Sequence, residues 1–94
     1  MRTMEYQIGQ VVYSKSGHDK GGMMMILSLE GPYAYLADGR RRKLERPKKK
    51  KLIHIQPTGY VDAELAGKLC RNEYVLDADI AKALKSYQEK LAEK

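Results

Sequence analysis

The chain has 94 residues, a formal net charge of +6, one Cys and neither Trp nor Phe. This length predicts one domain with a thin core, which disfavours a large substrate pocket, and no apolar run approaches the roughly 18 residues of a membrane span. Residues 1–57 hold 12 Lys and Arg against 5 Asp and Glu (+7), whereas residues 58–94 hold 6 against 7 (−1), so we expect the first part to meet a polyanion.

Nothing in the sequence points to secretion. The single Cys70 cannot form an internal disulfide, and no charged segment followed by an apolar segment opens the chain. We therefore expect a cytoplasmic protein that does not bind a membrane.

Short apolar runs bounded by Gly, Pro and Asp-Gly predict strands over about residues 10–15, 23–30, 33–37, 40–45 and 51–56. The predicted turns are Gly31-Pro32 and Asp38-Gly39. Asp-Gly is a strong hairpin signal, because both central residues of a type I′ turn need a positive φ. Five such strands are most economically closed into a small barrel, which leaves little exposed sheet edge.

The spacing of apolar residues becomes helical after the segment QPTGY at 56–60. Two apolar stripes predict two short helices that pack on the barrel or on each other: Val61, Leu65, Ala66, Leu69 and Cys70, then Ile80, Leu84, Tyr87 and Leu91. Asp62, and either Asp77 or Asp79, are predicted N-caps. We thus predict a barrel over 1–57 followed by a helical extension over 58–94.

A glycine-rich loop, SGHDKGG at 16–22, separates the first two predicted strands. Gly17 and Gly21 would allow a positive φ and a close approach of the backbone to a surface, while Lys15, His18 and Lys20 would donate to phosphate. These properties suit contact with a nucleic-acid backbone.

A basic segment, RRRKLERPKKKK at 40–51, carries nine Lys and Arg in twelve positions. A charge run is usually a solvated face, but this density of like charge destabilises a fold unless something offsets it. If about five of these residues neutralised phosphates, affinity would fall roughly a hundredfold between 50 and 200 mM salt. A polybasic membrane patch or a nuclear-import signal is an alternative, although no lipidation motif or amphipathic anchor accompanies the segment.

RNA is the expected nucleic acid. A small barrel offers no recognition helix for the DNA major groove, and the sequence has no zinc-ligand set. Loops and strand faces can instead grip irregular RNA. Five tyrosines could stack on bases or could simply pack in the core: Tyr6, Tyr13, Tyr33, Tyr35 and Tyr60.

Few other residues suggest chemistry. His18 and His54 are far apart in sequence, with His54 in a predicted strand, and Cys70 on its apolar stripe is expected to be a buried small hydrophobe. Asp19 is expected to cap loop N–H groups. We therefore expect no enzyme activity, no metal ion, no cofactor and no small-molecule substrate.

The stretch VVYSKSGHDKGGMMMIL resembles the KOW motif of ribosomal proteins and transcription elongation factors, a strand, a Gly-x-Asp-Lys-Gly loop and a second strand. With the segment YAYLADGRRRKLERPKKKKLIHIQPT, it makes residues 6–58 similar to the large-subunit ribosomal protein fourteen family of archaea and eukaryotes, and to small bacterial KOW-domain RNA-binding proteins. This resemblance implies an SH3-like barrel that binds RNA, with the loop at 17–22 among its contacts.

The expected function is RNA binding, in a ribosomal or ribosome-associated protein that contacts ribosomal RNA and, as a further option, ribosomal proteins. The candidate RNA-binding residues are Lys15, Gly17, His18, Lys20, Gly21, Arg40, Arg41, Arg42, Lys43, Arg46, Lys48, Lys49, Lys50 and Lys51. The alternative is a protein-interaction barrel that docks on the transcription or translation machinery, with Met23 to Met25 and the helices as its contact surface.

Overall fold

The computed structural model describes residues 6–17 and 21–92, which form a five-stranded antiparallel sheet and two helices. The elements are β1 (Gln10–Ser14), β2 (Met23–Glu30), β3 (Tyr33–Ala37), β4 (Lys48–Lys51), β5 (Ile55–Val61), α1 (Ala63–Cys70) and α2 (Asp77–Ala92). A single turn of 3₁₀ helix, Leu52–His54, joins β4 to β5. The strand order in the sheet is β4-β3-β2-β1-β5. The mainly β composition with two following helices, predicted from the sequence, is confirmed.

The first three strands lie where the sequence predicts them, but the fourth does not. The strand predicted at 40–45 is wrong, because residues 38–47 form an irregular loop and β4 begins only at Lys48. The carboxylate of Asp38 accepts hydrogen bonds from the backbone N–H groups of Arg40 (2.8 Å) and Arg42 (2.9 Å), so these donors are not available for strand pairing. Asp38 and Gly39 therefore open a long loop rather than a two-residue hairpin.

The fifth strand also differs from its predicted position. The segment predicted as one strand over 51–56 is divided between the end of β4, the 3₁₀ turn and the start of β5. His54 consequently lies exposed in the 3₁₀ turn and not in a strand. β5 continues to Val61, beyond the predicted boundary at 57, and Gln10 at the start of β1 pairs with Val61.

Each face of the sheet carries a buried core cluster. Val11 and Val12 are neighbours in β1, so their side chains point to opposite faces, and each belongs to a different core cluster. The first cluster joins the sheet to both helices: Val11, Met25, Leu65, Ile80, Ala83 and Leu84. The second comes from the strands alone: Val12, Met24, Ile26, Ala34, Leu36 and Ile55. Because the second cluster unites β3 with β5, the sheet curves around it.

The helices begin in two different ways. Asp62 caps α1 as predicted, since its Oδ1 accepts the N–H of Leu65 at 3.0 Å. The predicted N-cap of α2 is wrong in position, because α2 begins at Asp77 and Asp79 lies in its first turn. The Asp79 carboxylate instead accepts the backbone N–H of Leu76 at 3.0 Å. The Asp77 carboxylate accepts the backbone N–H of Leu44.

The expected burial of Cys70, at the end of α1, is wrong. Cys70 is exposed rather than buried, because the short helix buries only Leu65 against the sheet. Neither helix in the described part of the chain has the length and apolar character that crossing a bilayer requires.

Gly39 lies where the loop after β3 meets the start of α2. Its φ is +80°, and an ideal Cβ placed on it would lie 2.9 Å from the backbone N of Ala81. The left-handed conformation costs a non-glycine residue roughly 1–2 kcal/mol, and the close approach to helix backbone adds to that cost.

We therefore expect Gly39→Ala to lower the free energy of unfolding by about 2 kcal/mol or more, measured by urea denaturation. Gly59→Ala is the matched control, because a Cβ at Gly59 meets nothing within 4 Å and its φ is not in the left-handed region. The control should change stability by less than about 0.5 kcal/mol. Equal effects of the two substitutions would show that α2 does not restrict Gly39.

Candidate nucleic-acid interface

The first candidate element is the glycine loop, residues 15–22, which joins β1 to β2. Gly17 and Gly21 have φ values of +77° and +83°, as expected for a turn that requires glycine. The base of the loop is closed by two backbone hydrogen bonds, from Gly21 N–H to the carbonyl of Ser14 (2.8 Å) and from Ser14 N–H to the carbonyl of Gly22 (3.0 Å). The side chain of Lys15 is exposed beside this base. His18, Asp19 and Lys20 lie outside the described residues.

Lys50 connects the glycine loop to β4. Its side chain is directed inward, the residue is only 9% exposed, and its Nζ donates to the carbonyl of Ser16 at 3.1 Å. An ideal Cβ on Gly17 would lie 3.6 Å from the same Nζ. This lysine therefore holds the loop, whereas its neighbours Lys49 and Lys51 are exposed.

The second candidate element is the basic loop, residues 38–47, which joins β3 to β4. Five cations of the predicted set lie on it: Arg40, Arg41, Arg42, Lys43 and Arg46. Its first half is closed by Asp38, whose backbone N–H donates to the carbonyl of Arg42 at 2.9 Å while its carboxylate receives two backbone N–H groups. The backbone is thus held by a carboxylate, and the arginine side chains are left out of that network.

The second half of the basic loop is fixed by α2. Leu44 packs against the cluster that joins the sheet to the helices, and its backbone N–H donates to Oδ1 of Asp77 at 2.7 Å. The sequence did not reveal this contact, because the two residues are 33 positions apart and an aspartate at a helix start looks like a cap. Asp77 is therefore a positioning residue for the basic loop.

The cations of the basic loop form no ion pair with any carboxylate in the described part of the chain. Within residues 6–17 and 21–92, the ion pairs are Lys68 with Glu64 (3.9 Å) and Arg71 with Glu73 (2.6 Å), both outside this loop. The hydrogen bond from Arg71 lowers the pKa of Glu73. A shallow depression of about 400 Å³ on the loop is lined by Arg41, Arg42, Lys43, Glu45 and Arg46. Four cations and one carboxylate around an open depression favour an anionic ligand.

The two loops lie at the same end of the sheet. Successive antiparallel strands are joined at alternate ends, so the β1–β2 and β3–β4 connections share one end. Side-chain packing agrees, because Met23, the first residue of β2, lines one groove together with Asp38 and Arg40. Most of the predicted residues are thereby gathered on one end of the sheet and on β4.

The outer face of β3 and β4 adds aromatic rings beside the cations. Lys49 lies opposite Tyr35 in the ladder, and its Nζ is 4.5 Å from the ring centroid of Tyr33 and 5.9 Å from that of Tyr35. The Tyr35 hydroxyl donates to Glu30 at 2.8 Å, which fixes the ring. Of the other predicted tyrosines, Tyr6 packs against the cluster formed by the strands and Tyr60 packs against the cluster that joins the sheet to the helices. Burial, with a smaller effect of Tyr87, raises the pKa of Tyr13.

The described residues contain no group of three or more His, Cys, Asp or Glu side chains arranged to hold a metal ion. No protein-family model matches this chain, and no curated protein matches it significantly.

The contact between Asp77 and Leu44 can be tested directly. We expect Asp77→Ala to accelerate hydrogen exchange of the Leu44 amide and to lower the free energy of unfolding by about 1.5–3 kcal/mol, because a partly buried donor loses a charged acceptor. Asp77→Asn is the matched control, since its amide oxygen can still accept this bond and both variants lose the same charge at the helix N-terminus. Unchanged exchange at Leu44 in Asp77→Ala would contradict the anchoring role.

Proposed function

We propose that this protein binds structured RNA, as a cytoplasmic ribosomal or ribosome-associated protein that contacts the RNA backbone. The observation that carries this proposal is the basic loop, where four cations and Glu45 surround an open depression and where no ion pair among the described residues involves a cation of the loop. Guanidinium groups match phosphate oxygens in a bidentate manner. A phosphate backbone supplies counter-charge for these arginines and lysines. The proposal involves no catalytic step, cofactor or metal ion.

The rigidity of the basic loop supports a binding role. Asp38 and Asp77 fix its backbone in the free protein, so less conformational freedom is lost when an RNA binds. The glycine loop lies at the same end of the sheet and presents an exposed Lys15. Backbone close to the surface at Gly17 and Gly21 would let a phosphate approach the loop.

We further propose that the curved sheet closes into an SH3-like barrel of the KOW type. Three features support this: the strand order, the 3₁₀ turn between β4 and β5, and a hydrogen bond that links segments distant in the sheet. The side chain of Lys50 in the edge strand β4 donates to the carbonyl of Ser16, just after β1. This contact draws β4 toward the other side of the sheet.

A protein-docking role is the second candidate. Ile53 is 70% exposed in the 3₁₀ turn, and Tyr74 is 82% exposed between α1 and α2. Burying such side chains against another protein would remove their apolar surface from water, which is favourable. Such contacts depend weakly on salt, so salt dependence separates the two candidates.

The RNA proposal is tested by titrating the protein with a labelled hairpin of ribosomal RNA at several salt concentrations. If about five phosphates are contacted, the slope of log K against log salt should be about −3.5, and Arg41→Gln, Lys43→Gln and Arg46→Gln together should reduce it to about −1.4. Affinity near physiological salt should fall by more than about tenfold.

The matched control removes the same charge from the helices, by Lys68→Gln, Lys82→Gln and Lys90→Gln. This triple variant should keep the slope of the wild type, because these lysines lie on α1 and α2 and not on the basic loop. Binding that does not change with salt, or equal losses in both triple variants, would reject the proposed interface.

A further inference from the structure

Two tyrosines on the outer face of the sheet are available to a ligand. Tyr33 and Tyr35 alternate along β3, so their rings lie on the same face, and each is partly exposed. The hydroxyl of Tyr6, by contrast, donates to the Leu52 carbonyl, and the ring of Tyr60 packs against Tyr87 at 5.2 Å. Tyr33 and Tyr35 therefore form an aromatic pair on a surface that also carries cations.

We propose that Tyr33 and Tyr35 stack on unpaired bases of the bound RNA, while Lys49 binds an adjacent phosphate. This inference rests on the proposed RNA-binding function and extends it to a substrate class, RNA with a junction between paired and unpaired nucleotides. The paired part lies on the basic loop, and the unpaired strand continues along β3 and β4.

The position of Lys49 explains how the Tyr33 ring is covered in the free protein and becomes available to a base when RNA binds. In the free protein its ammonium group lies over Tyr33, 4.5 Å from the ring centroid, in a contact that is weak at an exposed site. A phosphate attracts the ammonium more strongly, since both groups are ionised. When Lys49 turns to a phosphate it uncovers the ring face, and base stacking on an aromatic ring is the stronger contact.

The strands connect this face to the basic loop. Tyr35 lies three residues before Asp38, where the basic loop begins, and β4 leaves the loop at Lys48. Three residues of strand span about 10 Å, so an RNA strand that leaves the basic loop reaches Tyr35 within a few nucleotides. Lys51 is exposed opposite Tyr33 at the far end of this path.

The binding experiment compares two hairpins with the same stem, one blunt and one with a short adenosine overhang. Wild-type protein should bind the overhang hairpin about tenfold more tightly, because stacked bases add to the phosphate contacts. The double variant Tyr33→Ala and Tyr35→Ala should lose this preference and keep its affinity for the blunt hairpin. Tyr33→Phe with Tyr35→Phe should keep the preference, since phenylalanine retains the stacking surface.

Tyr74→Ala is the matched control, because Tyr74 is 82% exposed in the connection between α1 and α2. Thermal melts verify that each variant is folded. A 2-aminopurine in the overhang reports stacking directly, and its fluorescence should change on binding the wild type but not the double alanine variant.

The outcomes distinguish this inference from the proposed function. Salt-dependent binding with no preference for the overhang, or a preference that survives the double alanine substitution in folded protein, would overturn the stacking site and leave RNA binding by the basic loop intact. Binding of neither hairpin would overturn both. If Tyr74→Ala also lost the preference for the overhang hairpin, Tyr33 and Tyr35 would not be the stacking site.

Discussion

The arrangement of cations in this protein depends on two aspartates that hold the backbone of the basic loop. Asp38 receives two N–H groups at the start of the loop, and Asp77 receives the N–H of Leu44 near its end. Like charges so close in sequence repel one another and would spread a flexible loop. Because these carboxylates bind backbone rather than side chains, they keep the loop in place without neutralising its arginines.

The helices thereby have a role beyond covering the sheet. α2 contributes Ile80 and Leu84 to the core cluster that includes Val11 and Met25, and its first turn carries the carboxylate that binds Leu44. The packing of α2 on the sheet therefore also determines where the basic loop lies. The glycine loop is held by a different contact, between Lys50 and Ser16. The two loops of the proposed interface are therefore positioned by different residues.

The sequence predicts the parts of this structure that local patterns determine and misses those that distant contacts determine. The first three strands follow from apolar runs and turn residues, and the cap at Asp62 follows from its position before a helical stripe. The fourth strand was misplaced because a side-chain hydrogen bond turns Asp38 into a loop former. The inward direction of Lys50 depends on a carbonyl 34 residues away, which the run of lysines does not reveal.

The shared core also constrains how the chain acquires its structure during synthesis. Val11 and Met25 lie in β1 and β2, yet they pack in one cluster with Ile80 and Leu84 of α2. A nascent chain that ends before α2 exposes this apolar face of its sheet to water, which is a condition that promotes aggregation. Folding of this sheet is therefore completed only after α2 has been made, and a fragment limited to the strands would need a chaperone or a substitute helix to stay in solution.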